Sequence, residues 1–156
     1  MAATKDILIR EPSLAECRAF APVVAQIAQQ GTFAALSVDF EASAAILERW
    51  LGDENRFVRV AEAGGAMAGA MAGAMIGHVT QQWFSQDWTA HDSLLFVAPE
   101  YRGRGIGSDL AAAFARWAHG RGAKLIFMAN SLGGVDRCFP GFSQAGSIYV
   151  KEIAHV

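Results

Sequence analysis

The sequence predicts an α/β domain of the α+β kind, and three observations carry that prediction. "RFVRVAEA" (Arg56 to Ala63) alternates and is rich in valine, and Gly64-Gly65 follows as a hairpin signal, so antiparallel strands are expected there. Ile106, Leu110, Phe114 and Trp117 recur at the spacing of one helical stripe. "KLIFMAN" (Lys124 to Asn130) is an apolar run of the enclosed-strand kind.

The elements follow in order. Asp6 to Arg10 reads as a short strand. A helix enters at Pro12-Ser13 and runs towards Gln30, with Pro22 inside it as a bend. A second helix runs from about Asp39 to Leu51, with Phe40, Ala44, Leu47 and Leu51 on one face and Asp39 as N-cap. After Arg56–Ala63 and the Gly64-Gly65 turn, the Ala/Met/Gly stretch returns as a strand, and "QQWFSQDW" (Gln81 to Trp88) reads as a loop. "DSLLFV" (Asp92 to Val97) is a strand stopped by Pro99. The striped helix ends near Gly120 and Gly122, Lys124–Asn130 follows, and "AGSIYVKEI" supplies one last strand. No linker or shift in composition divides these elements, so residues 1–156 are expected to form one domain.

Composition narrows the function classes. At 53% apolar and 18% charged residues, the chain can bury a substantial core. A formal charge of -2 gives no footprint for bulk nucleic-acid binding. Cys17 and Cys138 are too few and too far apart for a disulfide scaffold or a zinc site, so no metal is expected. "MAATKDILIREPS" does not read as a signal peptide, and no apolar run reaches 18 residues. A soluble protein of a reducing compartment, the cytoplasm, is the expectation.

"AGGAMAGAMAGAMIGHV" (Ala63 to Val79) is repetitive. At period two, Met67, Gly69, Met71, Gly73, Met75 and Gly77 share one face, with alanines and Ile76 on the other. That suits a strand whose small residues accept close packing. The alternative is a methionine-rich metal or hydrophobic-ligand surface.

"PEYRGRGIGSDL" (Pro99 to Leu110) carries the chemistry. A strand, a glycine turn and a helix make an anion site, because free N–H groups and the helix dipole both favour negative charge at the helix start. Glycines let a phosphate reach the backbone, and Arg102 and Arg104 add cationic donors. The Walker A triplet is absent, and the dinucleotide pattern fails because Ser108 stands where its third glycine belongs. "RGRG" as an RNA-binding segment is a single copy on an acidic protein and is set aside.

Arg102, Gly105 and Gly107 stand in the arrangement of the acyl-CoA pyrophosphate loop of the GCN5-related N-acetyltransferases, the GNAT superfamily. "LLFVAPEYRGRGIGSDLAAAFARWA" resembles that family's central strand, loop and helix, and "PGFSQAGSIYVKEI" its closing segment. The likeness is closest to short acetyltransferases of bacteria and phages. It implies a mixed, mostly antiparallel sheet with a splayed parallel strand pair, flanked by helices. It also implies acetyl-CoA as cosubstrate and an amine as acceptor. The pyrophosphate role falls on Arg102, Gly103, Arg104, Gly105, Ile106, Gly107 and Ser108, and pantetheine lies along the main chain of Leu95, Phe96 and Val97. A backbone N–H near Phe96 or Val97 would polarise the thioester carbonyl, and Asn130 or Ser131 would hydrogen-bond pantetheine or order a water.

A protonated amine must lose a proton before it attacks. The family often places a base early in the central strand, where this chain has His91 and Asp92. Being adjacent, they point to opposite faces of a regular strand, with Asp92 on the side of Leu94 and Phe96 unless a bulge reverses the choice. They also read as an ordinary surface histidine and a strand-entry aspartate, and His78 reads as a residue at a strand end. The family's general-acid tyrosine is expected four residues before Gly141-Phe142, where Arg137 stands; Cys138 and Tyr149 are the substitutes. The resemblance assigns acceptor choice to the first two helices and the loop before the central strand. Those segments hold Phe33, Phe40, Trp83, Phe84 and Trp88 but few acids (Asp39, Glu41 and Asp87), which disfavours a polycation such as an aminoglycoside. A non-catalytic acyl-CoA-binding module that has lost its proton-transfer groups is the alternative. A homodimer through exposed sheet edges is an expectation of the fold alone.

Overall fold

A computed structural model describes residues 7–30, 33–64, 69–129, 141–146, 149, 151 and 153. In chain order the elements are β1 (Ile7–Arg10), α1 (Leu14–Gln30), α2 (Phe40–Trp50), β2 (Arg56–Ala63), β3 (Ala70–Gln81), β4 (Trp88–Val97), α3 (Ile106–Gly120) and β5 (Ala123–Phe127). The five strands form one mixed sheet in sequential order; every pairing is antiparallel except β4 with β5. A parallel pair needs a crossover, and α3 supplies it.

Local signals fix the helix starts. Ser13 Oγ accepts from Glu16 N at 3.2 Å, while the Glu16 carboxylate accepts from Ser13 N at 2.7 Å, a reciprocal capping box. Asp39 caps α2 by accepting from Ala42 N at 2.9 Å. The same Glu16 carboxylate takes two hydrogen bonds from Arg10, whose Nε donates to Glu62 of β2 at 2.6 Å. The strand edge, the helix start and the next strand are thereby tied together.

Two apolar layers sandwich the sheet. On one face Ile106, Leu110, Phe114 and Ala118 of α3 pack against Phe57, Ala61, Met75, Val79 and Ala90. On the other, Cys17 and Phe20 of α1 and Leu47 of α2 meet Val58, Val60, Ala74 and Ile76. The α3 face is unusually close. A Cβ on Gly77 would lie 2.5 Å from the Phe114 ring and 2.9 Å from His91 O, and one on Gly73 would lie 2.6 Å from Phe96 O. The glycines of β3 are therefore seats for a helix and its neighbouring strand.

Several expectations need correction. Met71 and Met75 do not share a face. Glu62 pairs with Met71 and Ala61 with Gly73, so Ala72 is an extra residue and the alternation inverts across it. Met71 packs towards α1 and α2, whereas Met75 is fully buried beneath α3, which leaves it no role as a ligand surface. β4 begins at Trp88 rather than Asp92, because its polar first residues pair with the end of β3. β5 is less enclosed than its sequence implies: Leu125 and Phe127 are 57% and 42% exposed, since α3 packs on the strand's other side. Of the expected last strand, the described residues Ala145, Gly146, Tyr149, Lys151 and Ile153 are in no strand. Asp6 and Gly65 lie outside the described residues. No helix among the described residues is long and apolar enough to cross a membrane.

Gly77→Ala should destabilise the fold by about 1–3 kcal/mol, because ring and backbone must both move; urea unfolding measures it. A second expectation concerns acid. Hydrogen bonds from Arg10, then from Ser13, hold the Glu16 carboxyl at about 2, below its usual 4.5. A lowered folded pKa stabilises above the free value, and that contribution fades as pH falls from 4.5 towards 2. Glu16→Gln should therefore lower Tm at neutral pH, and the gap from the native chain should close near pH 2.

Candidate active site

β4 is the strand from which the site is built. On its β3 side, Leu94 pairs with Ile76 but Asp92 pairs with Gly77, so Ser93 is an extra, bulged residue. The bulge reverses the regular alternation. Asp92 does not share a side with Leu94 and Phe96; it has the parity of Gly77 and Leu95, on the α3 face. His91 pairs with His78 and takes the α1/α2 face. On its other side, β4 pairs with β5 from Trp88–Ala123 to His91–Phe127, and β5 ends there. Beyond His91, the β5-facing side of Asp92 to Val97 has no strand partner among the described residues.

The two adjacent residues behave differently. Asp92 Oδ1 accepts from Ala129 N at 2.8 Å, bridging β4 to the chain leaving β5. Burial pushes its carboxyl above the usual range, and that bond partly opposes the shift. The His91 ring stacks on Phe127 at 5.0 Å and on His78 at 5.4 Å, with interplanar angles of 12° and 18°. Its Nε2 lies 2.9 Å from Thr89 Oγ1. Burial lowers the pKa of both histidines, and for His78 the charge of Arg56 adds to the effect.

Past the open end of β4, a short 3-10 turn, Pro99–Tyr101, leads into the glycine loop. Gly103 and Gly105 have φ of 76° and 77°, the left-handed region that favours glycine. Gly105 is the N-cap of α3, and no side chain caps the helix. Its first N–H groups are therefore left for water or a ligand. Space beside Gly103 is open, with nothing within 4 Å of a notional Cβ. Arg102 and Arg104 are exposed; Arg102 Nε donates to Val97 O at 3.1 Å, and the Arg104 guanidinium sits 5.3 Å from the Tyr101 ring centroid. A left-handed turn, uncapped amides and two cations fit a diphosphate.

Other expected residues fall elsewhere. Tyr149 is 91% exposed, and no contact joins it to another site residue among the described residues. Cys138, Arg137, Asn130 and Ser131 lie outside the described residues. Phe33, Phe40, Trp83 and Phe84 are exposed, whereas Trp88 packs against the α3-side core. The sequence reading missed Thr89, Gln82 and Phe127, and it took His78 for a simple strand end. A strand starting at Trp88 would have put Thr89 and His91 on one face. No cluster of metal-ligating side chains occurs among the described residues.

A parted strand pair beside a glycine turn that opens a helix is the arrangement of an acyl-CoA-dependent acetyltransferase. The chain belongs to the GNAT acetyltransferase family, whose model matches residues 24–133, and that family uses acetyl-CoA as cosubstrate. No curated protein sequence matches the chain. Among solved structures it is similar to glucosamine-6-phosphate N-acetyltransferase from Arabidopsis thaliana, with 16% identity and a TM-score of 0.70 over 94% of this chain and 97% of that one. It is also similar to ribosomal-protein-alanine N-acetyltransferase from Brucella melitensis biovar Abortus 2308, with 19% identity and a TM-score of 0.65 over 96% and 99%. An aminoglycoside acetyltransferase from an uncultured soil metagenomic sample, in complex with sisomicin, gives 18% identity and a TM-score of 0.66 over 96% and 97%. At these identities the likeness establishes the fold.

Both histidines should titrate with midpoints below the ordinary 6.5, followed by proton NMR of their ring Cε1–H signals. A histidine whose folded pKa is lowered resists protonation, so stability should decline as pH falls below 6.5.

Proposed function

We propose that residues 1–156 form one N-acetyltransferase domain that moves acetyl from acetyl-CoA to a primary amine of a small molecule or protein. The observation that carries this reading is the entrance of α3, with Gly103 and Gly105 left-handed and no side-chain cap. Backbone N–H groups of residues 103–108 hold the pyrophosphate there, with Arg104 as the freer cation. Arg102 braces the loop by donating from Nε to Val97 O. Main-chain groups of Leu95, Phe96 and Val97 take the pantetheine arm along the unpaired stretch of β4.

The same geometry favours His91 as the base. It faces α1 and α2, the side from which the family's acceptors come, at the last paired position before β4 and β5 part. Asp92 is instead a brace, because its carboxylate is engaged by Ala129 N. His91 takes a proton from the ammonium form of the acceptor. The freed lone pair forms the C–N bond as the C–S bond breaks; sulfur keeps the electron pair of the broken bond, and the proton that the new amide nitrogen sheds passes through water to the thiolate. Exposed Phe33, Phe40, Trp83 and Phe84 suit an apolar or aromatic amine. Asp39 is used as a cap and Asp87 in an ion pair with Lys124, which supports an acceptor of low charge.

Calorimetric titration with acetyl-CoA should show micromolar binding by the native chain and none by Gly105→Glu, which puts bulk and negative charge into the cradle. His91→Ala should lower kcat by roughly a hundredfold or more and leave acetyl-CoA binding intact. A folded native chain that binds no acetyl-CoA overturns the reading. Binding without any transfer, unaffected by replacing His91 or Asp92, would favour the non-catalytic module.

A further inference from the structure

Thr89 is a buried polar side chain in the middle of the sheet, at 5% exposure. It sits two residues before His91 on the same face of β4, and its hydroxyl is fully engaged. Oγ1 donates to Thr80 O at 3.3 Å and accepts from Gln82 Nε2 at 3.1 Å. His91 Nε2 lies 2.9 Å from the same oxygen. A hydroxyl has one proton and two acceptor sites. With the proton on Thr80 O and one lone pair taken by Gln82, the contact with His91 is satisfied only if His91 Nε2 donates.

We infer that Thr89 is a positioning residue that holds neutral His91 as the Nε2–H tautomer, so that Nδ1 is the atom that receives the acceptor's proton. The proposal rests on the acetyltransferase reading above and deepens it. The stack on Phe127 and His78 fixes the plane of the imidazole, and the Thr89 bond fixes its rotation within that plane. The bond also survives the reaction. When Nδ1 gains a proton, Nε2–H stays on Thr89 and becomes charge-assisted, so no rearrangement accompanies proton uptake. No hydrogen bond engages Nδ1 among the described residues.

The charged and titratable surroundings are few. β3 presents His78; β2 presents Arg56, opposite His78 in register. β4 itself adds Asp92, on the opposite face. β5 contributes the apolar Phe127, and its Lys124 is paired with Asp87. Thr89 is thus the group in contact with His91 that distinguishes its two ring nitrogens by a hydrogen bond.

Long-range proton–nitrogen correlation spectra of the histidine rings at high pH, assigned with His91→Gln, test this without turnover. The native chain should show His91 as Nε2–H. In Thr89→Val that preference should be lost and the His91 midpoint should fall, whereas Thr89→Ser should restore both. With acetyl-CoA and phenethylamine as probe, kcat should fall about tenfold to a hundredfold in the valine variant, with KM for acetyl-CoA unchanged. The acidic limb of its pH profile should move to lower pH, and the serine variant should recover. An Nδ1–H tautomer in the native chain, or a valine variant that keeps both tautomer and midpoint, overturns the inference even if acetyl-CoA binds. Loss of acetyl-CoA binding by the native chain instead overturns the acetyltransferase reading, and the nitrogen spectra still decide what Thr89 does.

Discussion

The rest of the molecule depends on how closely α3 lies on the sheet. Phe114 occupies the space that a side chain at Gly77 would take, and Ile106 and Leu110 approach the space at Gly73 in the same way. Such contacts leave a helix little freedom to slide, because interiors are packed at crystal-like density. Phe114 is fully buried and lies edge-on to Phe57 at 5.2 Å, which locks the helix laterally across β2 and β3. A helix held this firmly presents its N-terminus at a fixed place relative to the end of β4. The glycine turn, which has few contacts of its own, inherits its position from the apolar residues one to three turns further along α3.

On the opposite face, packing is divided among shorter elements, and charge does part of the work. Arg10 joins β1, the start of α1 and β2 through Glu16 and Glu62. Arg18 of α1 meets Glu48 of α2 at 2.7 Å. Of these pairs, Arg18–Glu48 has an exposed arginine and contributes little by itself, whereas the Arg10 pairs are half-buried. Their effect is to orient α1 and α2 over the strands carrying His78 and His91. The sheet thus has one side packed closely against a single long helix and another covered by two helices joined in part by ion pairs.

What the sequence disclosed follows from the range of each signal. Ser13, Asp39 and the stripe of Ile106, Leu110, Phe114 and Trp117 are local patterns, and the structure has helices where they stand. The glycine loop was legible because its residue types answer to a backbone conformation, and Gly103 and Gly105 adopt it. The faces of the strands were not legible. A period of two carries face assignment only until an extra residue intervenes, and Ala72 and Ser93 each intervene. Neither bulge has a sequence mark, since alanine and serine also suit regular strands. Thr89 was missed for a related reason: its polar neighbours resemble a loop, and only pairing with Thr80 across the sheet makes it strand.

The bulge at Ser93 makes residue number, as well as residue chemistry, decide what the strand presents. Ser93 is the spare residue of β4, so a chain lacking it would keep His91 opposite His78 and Asp92 opposite Gly77. Removing a residue from the regular stretch above the bulge has no such neutrality, because every side chain on one flank of the gap would change faces. If instead the first half of β4 slipped forward by one position and absorbed the spare, Asp92 would stand opposite His78 and His91 would turn towards α3. The place of the spare residue therefore decides which of two neighbouring titratable groups faces α1 and α2. A one-residue slip, with no substitution at either position, is enough to exchange them.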